Sequence, residues 1–387
     1  MDKPLIWAEV DLNAYAHNIK ELRRITHPNA RLMAVVKANG YGHGACVVAR
    51  EALQNGAEWL GVARINEAIQ LRTEGFAAPI LIFGYTPPDL ADKLIEFDLT
   101  QTVYSYSTAE VLSSKAQSRG KTIRIHIKVD SGMGRLGLLP QVLVSPTASQ
   151  DPKSDPVREI ESIAKLTGLE TEGIFTHFAT ADSADKSYAN KQLDIFLEFL
   201  NRLRQAGLDP PIKHAANSSA LIDLPESHLD LVRPGIATYG LYPSDEVNKK
   251  RVTLKPVMAL KSRIIHLKQV PAGFNVSYGI TYQTEKPTTI ATVPVGYADG
   301  FNRLLSSRGD MLVHGQRVPI IGRVCMDLSM LDVRDLSNVN LEDEVVIFGQ
   351  QGDESITADE IASRLNTINY EVVSTVMERV PRIYIKY

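Results

Sequence analysis

The sequence predicts an α/β fold, a (β/α)8 TIM-type barrel with a C-terminal mainly-β domain. Eight short apolar runs alternate with stretches whose apolar residues recur at helical spacing. The eight units occupy roughly 200 to 250 residues, the size such a barrel needs, whereas a doubly wound sheet usually has fewer strands. From about Leu254 the pattern changes to alternating runs with tight turns, which implies a second, β-rich domain.

The chain opens with a strand-like segment, Leu5 to Leu12, assigned to the β-rich domain rather than the barrel. Leu12, Tyr15, Ile19 and Leu22 then mark an amphipathic helix. The barrel strands are read in "LMAVVK", "WLGVAR", "PILIFG", "TQTVYS", "TIRIHIKVD", "EGIFTHF", "IKHAANS" and "LDLVRPGIATYG". Segments such as "NEAIQLRTEG" and "ANKQLDIFLEFLNRLRQAG" supply the helices between them. After the fifth strand, "LPQVLVSPTASQDPKSDP" carries four prolines and little periodicity, so a surface insertion without chemistry is expected. The polar, proline-flanked "YPSDEVNKKRVTLKP" marks the boundary, giving a barrel over 1–245 and a β-rich domain over 246–387. The latter's strands are read in "ALKSRIIHL", "TTIATVPVG", "MLVHGQRVPIIGRVCMDLSMLDV" and "DEVVIFG", with one helix in "ITADEIASRLNT".

Of the 387 residues, 44% are hydrophobic and 22% charged, and the net charge of -3 is mixed along the chain. No electrostatic footprint for nucleic acid or an anionic membrane follows, which leaves small-molecule chemistry. Cys46 and Cys325 stand far apart in no metal-ligand spacing, so neither a disulfide framework nor a metal site is expected, and both are read as core thiols. "MDKPLIWAEVDL" becomes charged before an apolar signal core can form, and no stretch approaches a membrane span. The expectation is a soluble, cytoplasmic protein.

The stretch with most chemical content is "VVKANGYGHG", in which Lys37 ends an apolar run and a glycine-punctuated turn follows. At the C-terminal end of a barrel strand a lysine faces the mouth where reacting groups collect, and partial desolvation there lowers an amine's pKa toward nucleophilicity. An isolated Val-Lys would ordinarily be a solvated strand cap. Its flanks argue otherwise. "AVVKANGYGHG" resembles the pyridoxal phosphate attachment motif of alanine racemases. Similar segments follow in order over nearly the whole chain: "WAEVDL", "HIKVDSGMGRLG", "THFATAD", "HAANSSA", "VRPGIATYGL", "VSYGITY", "PVGYADG", "GRVCMDLSM" and "INYEVVSTVMERVPRIY". Gly40, where alanine is commoner in the family, is a local departure; the proline-rich insertion is a larger one.

The resemblance implies pyridoxal 5'-phosphate as cofactor, joined to Lys37 through a Schiff base. Loops after the seventh and eighth strands offer Asn217, Ser218, Gly235 and Ile236 around the phosphate, in keeping with how barrels bind that anion, joined by the hydroxyls of Tyr41 and Tyr370. "NSS" could equally be a helix cap, and Tyr370 a buried structural tyrosine. Arg233 resembles the arginine that donates to the pyridine nitrogen, its plainer alternative being an ion pair with Asp230. A guanidinium cannot supply the ring with a proton readily, so the electron sink would be weak.

Racemisation takes a proton from one face of the α-carbon and delivers another to the opposite face. The resemblance makes Lys37 and Tyr278 the two bases, with His177 orienting Tyr278 and His214 a weaker supporting group near Arg233; His126 is read as structural. Arg135 matches a contact to the cofactor's phenolic oxygen and the substrate carboxylate. Lys128 matches a lysine often carbamylated in the family, where the resulting anion holds that arginine. Met326 and Asp327 resemble carboxylate binders, although a core strand methionine is the plainer reading of Met326. Tyr297 and Tyr370 match residues that narrow the entrance. Because the β-rich groups reach the partner's barrel in this family, a homodimer with shared sites is expected. The implied reaction interconverts L- and D-alanine, for peptidoglycan or alanine catabolism. Alternatives are a serine or broad-specificity racemase, or an amino-acid decarboxylase of the same fold, against which Arg233 and "VSYGITY" argue.

Overall fold

The computed structural model describes residues 4–143 and 155–386. The chain forms two compact units: Tyr15–Gly40 with Ala45–Lys255, and Met1–Ala14 with Tyr41–Gly44 and Pro256–Tyr387. The first strand, β1 (Ile6–Asp11), lies in the second of these. The other unit is built on β2 (Arg31–Val35), β3 (Trp59–Val62), β4 (Ile80–Ile82), β5 (Thr100–Val103), β6 (Ile123–Lys128), β7 (Leu169–Phe175), β8 (Ile212–His214) and β9 (Leu231–Val232).

These eight strands pair in parallel from β2 through β8, and β9 returns to β2. The seam between β8 and β9 is joined by the Asp230 N–H on the Lys213 carbonyl (3.0 Å) and the Arg233 N–H on the Ala216 carbonyl (2.9 Å). Strands of such a barrel are covered on both faces, so β3 and β4 are buried at every position and show no alternation. Met33, Trp59, Leu81, Ile212 and Leu231 form one cluster inside, with Phe83 against it. Each such side chain contributes about 1.5–3 kcal/mol by leaving water. The packing leaves no room at Gly61, where a Cβ would lie 2.7 Å from the Phe83 ring.

Outside, the helix Ser187–Gln205 buries Leu193, Phe196, Phe199, Leu200 and Leu203 along one stripe and carries Arg202 and Arg204 in its last turn. The helix Pro156–Ala164 starts where the Asp155 carboxylate accepts the Val157 N–H and Pro156 supplies a preset φ. Of the proline-rich insertion, 144–154 lie outside the described residues; Gln141–Leu143 form a single 3-10 turn.

In the β-rich unit the main sheet runs 316–319, 310–313, 344–351, 258–263, β1, 382–385, and a second sheet runs 266–270, 288–293, 329–332. "ALKSRIIHL" is therefore two strands, one in each sheet, rather than one. His314 and Gly315, both at positive φ between paired Val313 and Gln316, make a two-residue hairpin turn. "GRVCMD" is loop rather than strand, so Met326 is no core residue; it is 54% exposed. Cys46 and Cys325 are free and half-buried, which corrects their reading as core thiols. Among the described residues, no helix is long and apolar enough to cross a membrane.

Candidate active site

Lys37 sits two residues beyond β2, at its C-terminal end. Ala38, Asn39, Gly40 and Tyr41 then all adopt left-handed backbone angles, with φ of 52°, 51°, 62° and 51°. Each non-glycine residue there costs about 1–2 kcal/mol, so other bonds must hold the turn. They do: the Ala38 N–H donates to Glu67 Oε1 (2.6 Å), the Gly40 N–H to the Val36 carbonyl (2.9 Å) and the Ala45 N–H to Asn39 Oδ1 (2.9 Å). Glu67 is anchored in turn by the Ala63 and Arg64 N–H groups on its other oxygen. Burial lowers the pKa of Lys37, and the Arg135 charge adds to this against the pull of Glu67. Both effects favour the neutral amine, the form of a lysine that can act as a nucleophile.

Lys128, at the end of β6, donates to the Val129 carbonyl (2.8 Å) and lies 5.2 Å from the centre of the Phe175 ring. Burial, and then the Arg233 charge, bring its pKa down to about 7. The loop carrying Arg135 is wrapped around Asp130. Its Oδ1 accepts the N–H groups of Gly132, Met133 and Gly134, and its Oδ2 that of Arg135 (3.0 Å). Burial opposes ionisation of Asp130, but these four bonds keep its carboxyl below the usual range. At Gly137 a Cβ would stand 2.5 Å from the Asp130 nitrogen, so only glycine lets the loop close. The Arg135 charge reaches Lys37, Lys128, His177 and Arg233. Four basic side chains, Lys37, Lys128, Arg135 and Arg233, therefore share one end of the barrel.

Arg233 is buried at the end of β9. The two hydrogens of Nη2 serve three acceptors, the carbonyls of Thr176 (2.9 Å) and Ala215 (3.0 Å) and, through a shared hydrogen, His177 Nδ1 (3.2 Å), and Nη1 donates to His214 Nδ1 (2.9 Å). Its alternative partner Asp230 instead accepts the Lys213 N–H (2.8 Å), and among the described residues no carboxylate pairs with Arg233. Burial lowers its pKa to about 9. Both histidines are pushed well below the ordinary range, first by burial and then by Arg233, and so are neutral. Among the described residues nothing accepts from the Arg233 Nε–H.

Beside this group, Asn217 caps the helix Ser218–Asp223 by accepting the Ala220 N–H (3.0 Å). The Ser218 hydroxyl accepts the N–H groups of Gly235 (2.8 Å) and Ala237 (3.3 Å), which draws the loop containing Ile236 onto the helix start. The Asn217 and Ser218 side chains thus tie the helix start and the loop 235–237 together.

The remaining sequence-derived residues lie in the β-rich unit. Tyr41 is buried with its ring 6.2 Å from that of Tyr370, which lies on the helix Asn369–Ser374. Tyr278 is 72% exposed on a loop where Ser277 (φ 66°) and Ile280 (φ 50°) are both left-handed. A β-branched residue in that region is strained. The Ser277 hydroxyl, donating to the Arg323 carbonyl (2.8 Å), fixes this loop to the one bearing Met326 and Asp327. Main-chain bonds from Tyr297 N–H to the Cys325 carbonyl (3.1 Å) and from Ala298 N–H to the Met326 carbonyl (3.0 Å) hold that second loop. The Asp327 carboxylate is engaged by Arg379 (2.8 Å), which also pairs with Asp299. Glu67, Asp130 and Thr176 position the site without having been singled out in the sequence. The acid in the first turn of "INEAIQLRT" and the glycines of "DSGMG" were the available signals.

A parallel (β/α)8 barrel that gathers the half-buried Lys37 with Lys128, Arg135 and Arg233 at the C-terminal ends of its strands has the architecture of the barrel enzymes, whose sites lie at that end. The chain belongs to the alanine racemase family. The model of the alanine racemase N-terminal domain matches residues 10–243, and that of the C-terminal domain residues 257–384. The alanine racemase of Desulfosudis oleivorans is 55% identical over 378 residues, covering 98% of this chain and 96% of that one. Among solved structures, alanine racemase of Clostridium difficile superposes with a TM-score of 0.92 at 40% identity, covering 100% of this chain and 97% of the other. The Bartonella henselae alanine racemase, solved with covalently bound pyridoxal phosphate, gives 0.85 at 29% identity over 99% and 100%.

Proposed function

We propose that this chain interconverts L- and D-alanine using pyridoxal 5'-phosphate carried on Lys37. The observation that carries this reading is the gathering of Lys37, Lys128, Arg135 and Arg233 at one end of the barrel, in a member of the alanine racemase family. Such a charge distribution suits a phosphorylated cofactor and a substrate carboxylate together.

The residues present fit the cofactor. Ser218, Gly235 and Ile236, with Asn217 at the helix start, would take the phosphate, helped by the Tyr41 and Tyr370 hydroxyls; the Arg233 Nε–H would donate to the ring nitrogen. Bound there, the cofactor would supply an electron-withdrawing ring that acidifies the α-carbon of the amino acid. Because a guanidinium keeps its protons, it offers only a weak boost to that ring. The reaction then leans on two bases.

Lys37 serves one face of the α-carbon and Tyr278 the other. A phenol ordinarily ionises near pH 10 and needs a donor to stabilise its anion. His177 qualifies, since accepting from Arg233 on Nδ1 leaves its proton on Nε2. Arg135 and the main chain at Met326 and Asp327 receive the substrate carboxylate, the Asp327 side chain being occupied with Arg379. Lys128, with its pKa brought down to about 7 by burial, is partly unprotonated at pH 7 and so suited to carbamylation by dissolved carbon dioxide, and the anion so formed would hold Arg135. Tyr297 and Tyr370 narrow the entrance.

Tyr278 of one protomer serves the barrel of its partner in a homodimer. The exposed apolar side chains of Tyr278, Ile280, Met326 and Leu328, on neighbouring loops tied through Ser277, support a surface that a second copy covers. The direct test is chiral chromatography after incubation with L-alanine and, separately, with D-alanine. Both must converge on equal amounts, since enantiomers have equal free energies. Release of carbon dioxide with no D-alanine would move the chain to the decarboxylases.

A further inference from the structure

We infer that Glu172 is a positioning residue for this reaction, tied to Arg233 by a one-way chain of contacts through His214 and His126. Arg233 Nη1 donates to His214 Nδ1 (2.9 Å), His214 Nε2 meets His126 Nδ1 (2.8 Å), and His126 Nε2 faces Glu172 Oε2 (3.4 Å). The last is an electrostatic contact rather than a well-formed hydrogen bond.

The direction of the chain follows from arginine chemistry. A guanidinium has donors only, so His214 must accept on Nδ1. Being neutral, it carries its proton on Nε2 and donates to His126. His126 therefore accepts on Nδ1, and its own proton, on Nε2, makes no hydrogen bond among the described residues and has the Glu172 carboxylate 3.4 Å from its nitrogen. The opposite tautomer of either ring would set two N–H groups against each other. Thus the cation at one end fixes the proton on each ring, and the carboxylate at the other end matches it.

The barrel is shaped around this chain. Both imidazoles are fully buried. His214 stacks on Phe175 at 4.6 Å and meets His126 edge-on at 5.0 Å, and Trp59 covers His126 at 5.5 Å. At Gly173 a Cβ would come within 2.6–2.8 Å of three atoms of the His126 ring, so glycine makes its room. Glu172 itself is held by the Thr100 hydroxyl (3.2 Å) and faces Arg124, which pairs with Asp98. Apolar residues of equal size would satisfy a core at no polar cost. A directed polar chain instead braces the guanidinium on its Nη1 side, while the Thr176 and Ala215 carbonyls brace Nη2.

The inference rests on the reading in which Arg233 faces the cofactor, and its test has an arm independent of that reading. In holoenzyme labelled with 15N-histidine, long-range proton–nitrogen spectra should show His126 and His214 neutral, each protonated on Nε2. Glu172→Ala and Glu172→Gln should each lower kcat about tenfold, leave the KM for alanine within about twofold, and shift the visible absorption of the bound cofactor. A proton on Nδ1 of either ring, or two protons on one, would overturn the chain. So would variants whose kcat and absorption match the parent. If wild-type protein fails to racemise alanine, the functional reading fails while the spectra still decide the chain. If Glu172→Ala does not fold, Glu172→Gln and the wild-type spectra carry the test.

Discussion

Arg233 Nη2 lies 3.2 Å from His177 Nδ1, and because a guanidinium only donates, this contact favours the imidazole at the end of a different strand with its proton on Nε2. The same group bonds Thr176, Ala215 and His214. Lysine cannot reproduce that planar fork. Arg233→Lys should lower kcat by on the order of 10² and destabilise the fold by about 1–3 kcal/mol through carbonyls left without donors. Steady-state racemisation and urea unfolding measure the two; a variant unchanged in both would remove Arg233 from the centre of the site.

Lys37→Ala should abolish racemisation and the visible absorption of the cofactor. Borohydride reduction of the wild-type holoenzyme followed by peptide mass mapping should add the reduced cofactor's mass to the peptide containing Lys37. Label on another lysine would reassign the attachment point.

Shared sites predict complementation. Lys37→Ala and Tyr278→Phe chains, each inactive alone, should regain activity when their subunits are exchanged, because a hybrid dimer holds one intact site. Demonstrated exchange with no recovery would place Tyr278 and Lys37 of the same chain together.

Lys128 makes stability depend on pH. In the folded protein it titrates near 7, in the unfolded chain near its ordinary 10.5, so between these values the unfolded state binds more protons. Stability should therefore rise with pH across that window, and the penalty of burying the charge should be fully present below about pH 7. Lys128→Met should lose about 2–3 kcal/mol of the rise between pH 7 and pH 9, read by urea unfolding in carbon-dioxide-free buffer. Added bicarbonate should stabilise wild type and not the variant. Parallel pH profiles for the two proteins would refute a neutral Lys128.

The proposed narrowing of the entrance by Tyr297 and Tyr370 predicts a limit on substrate size. Alanine should turn over best and serine weakly, since a small pocket rejects one extra hydroxyl by roughly 10² at most. Lysine and arginine should barely react. Comparable kcat/KM for alanine and lysine would place the chain among broad-specificity racemases.

The barrel was legible because strands covered on both faces leave continuous apolar runs, and because Lys37, Lys128, His177 and Arg233 stand at or just beyond strand ends. Glycine-rich loops likewise exposed Arg135. What stayed hidden depends on distant residues. The helix Asn369–Ser374 is too short for periodicity, and the strand Arg382–Ile385 exists only because β1 accepts it as a parallel neighbour. The break in "ALKSRIIHL" reflects two sheets claiming its halves, which local alternation does not encode. His126 looked like an ordinary core residue until His214 and Glu172 appeared beside it.

The pairing of β1 with 258–263 on one side and 382–385 on the other has a consequence for synthesis on the ribosome. Residues 6–11 emerge before both of these neighbours, and the later one follows ~370 residues behind, which takes about 20–70 s at typical elongation rates. Through that interval the segment "IWAEVD" has open edges, and it carries the charges of Glu9 and Asp11, which discourage pairing with a stranger. A nascent chain stalled before residue 382 should keep one edge of β1 accessible to chaperones and proteases even after the barrel has closed. A strand made before the whole barrel is thus among the last to be secured.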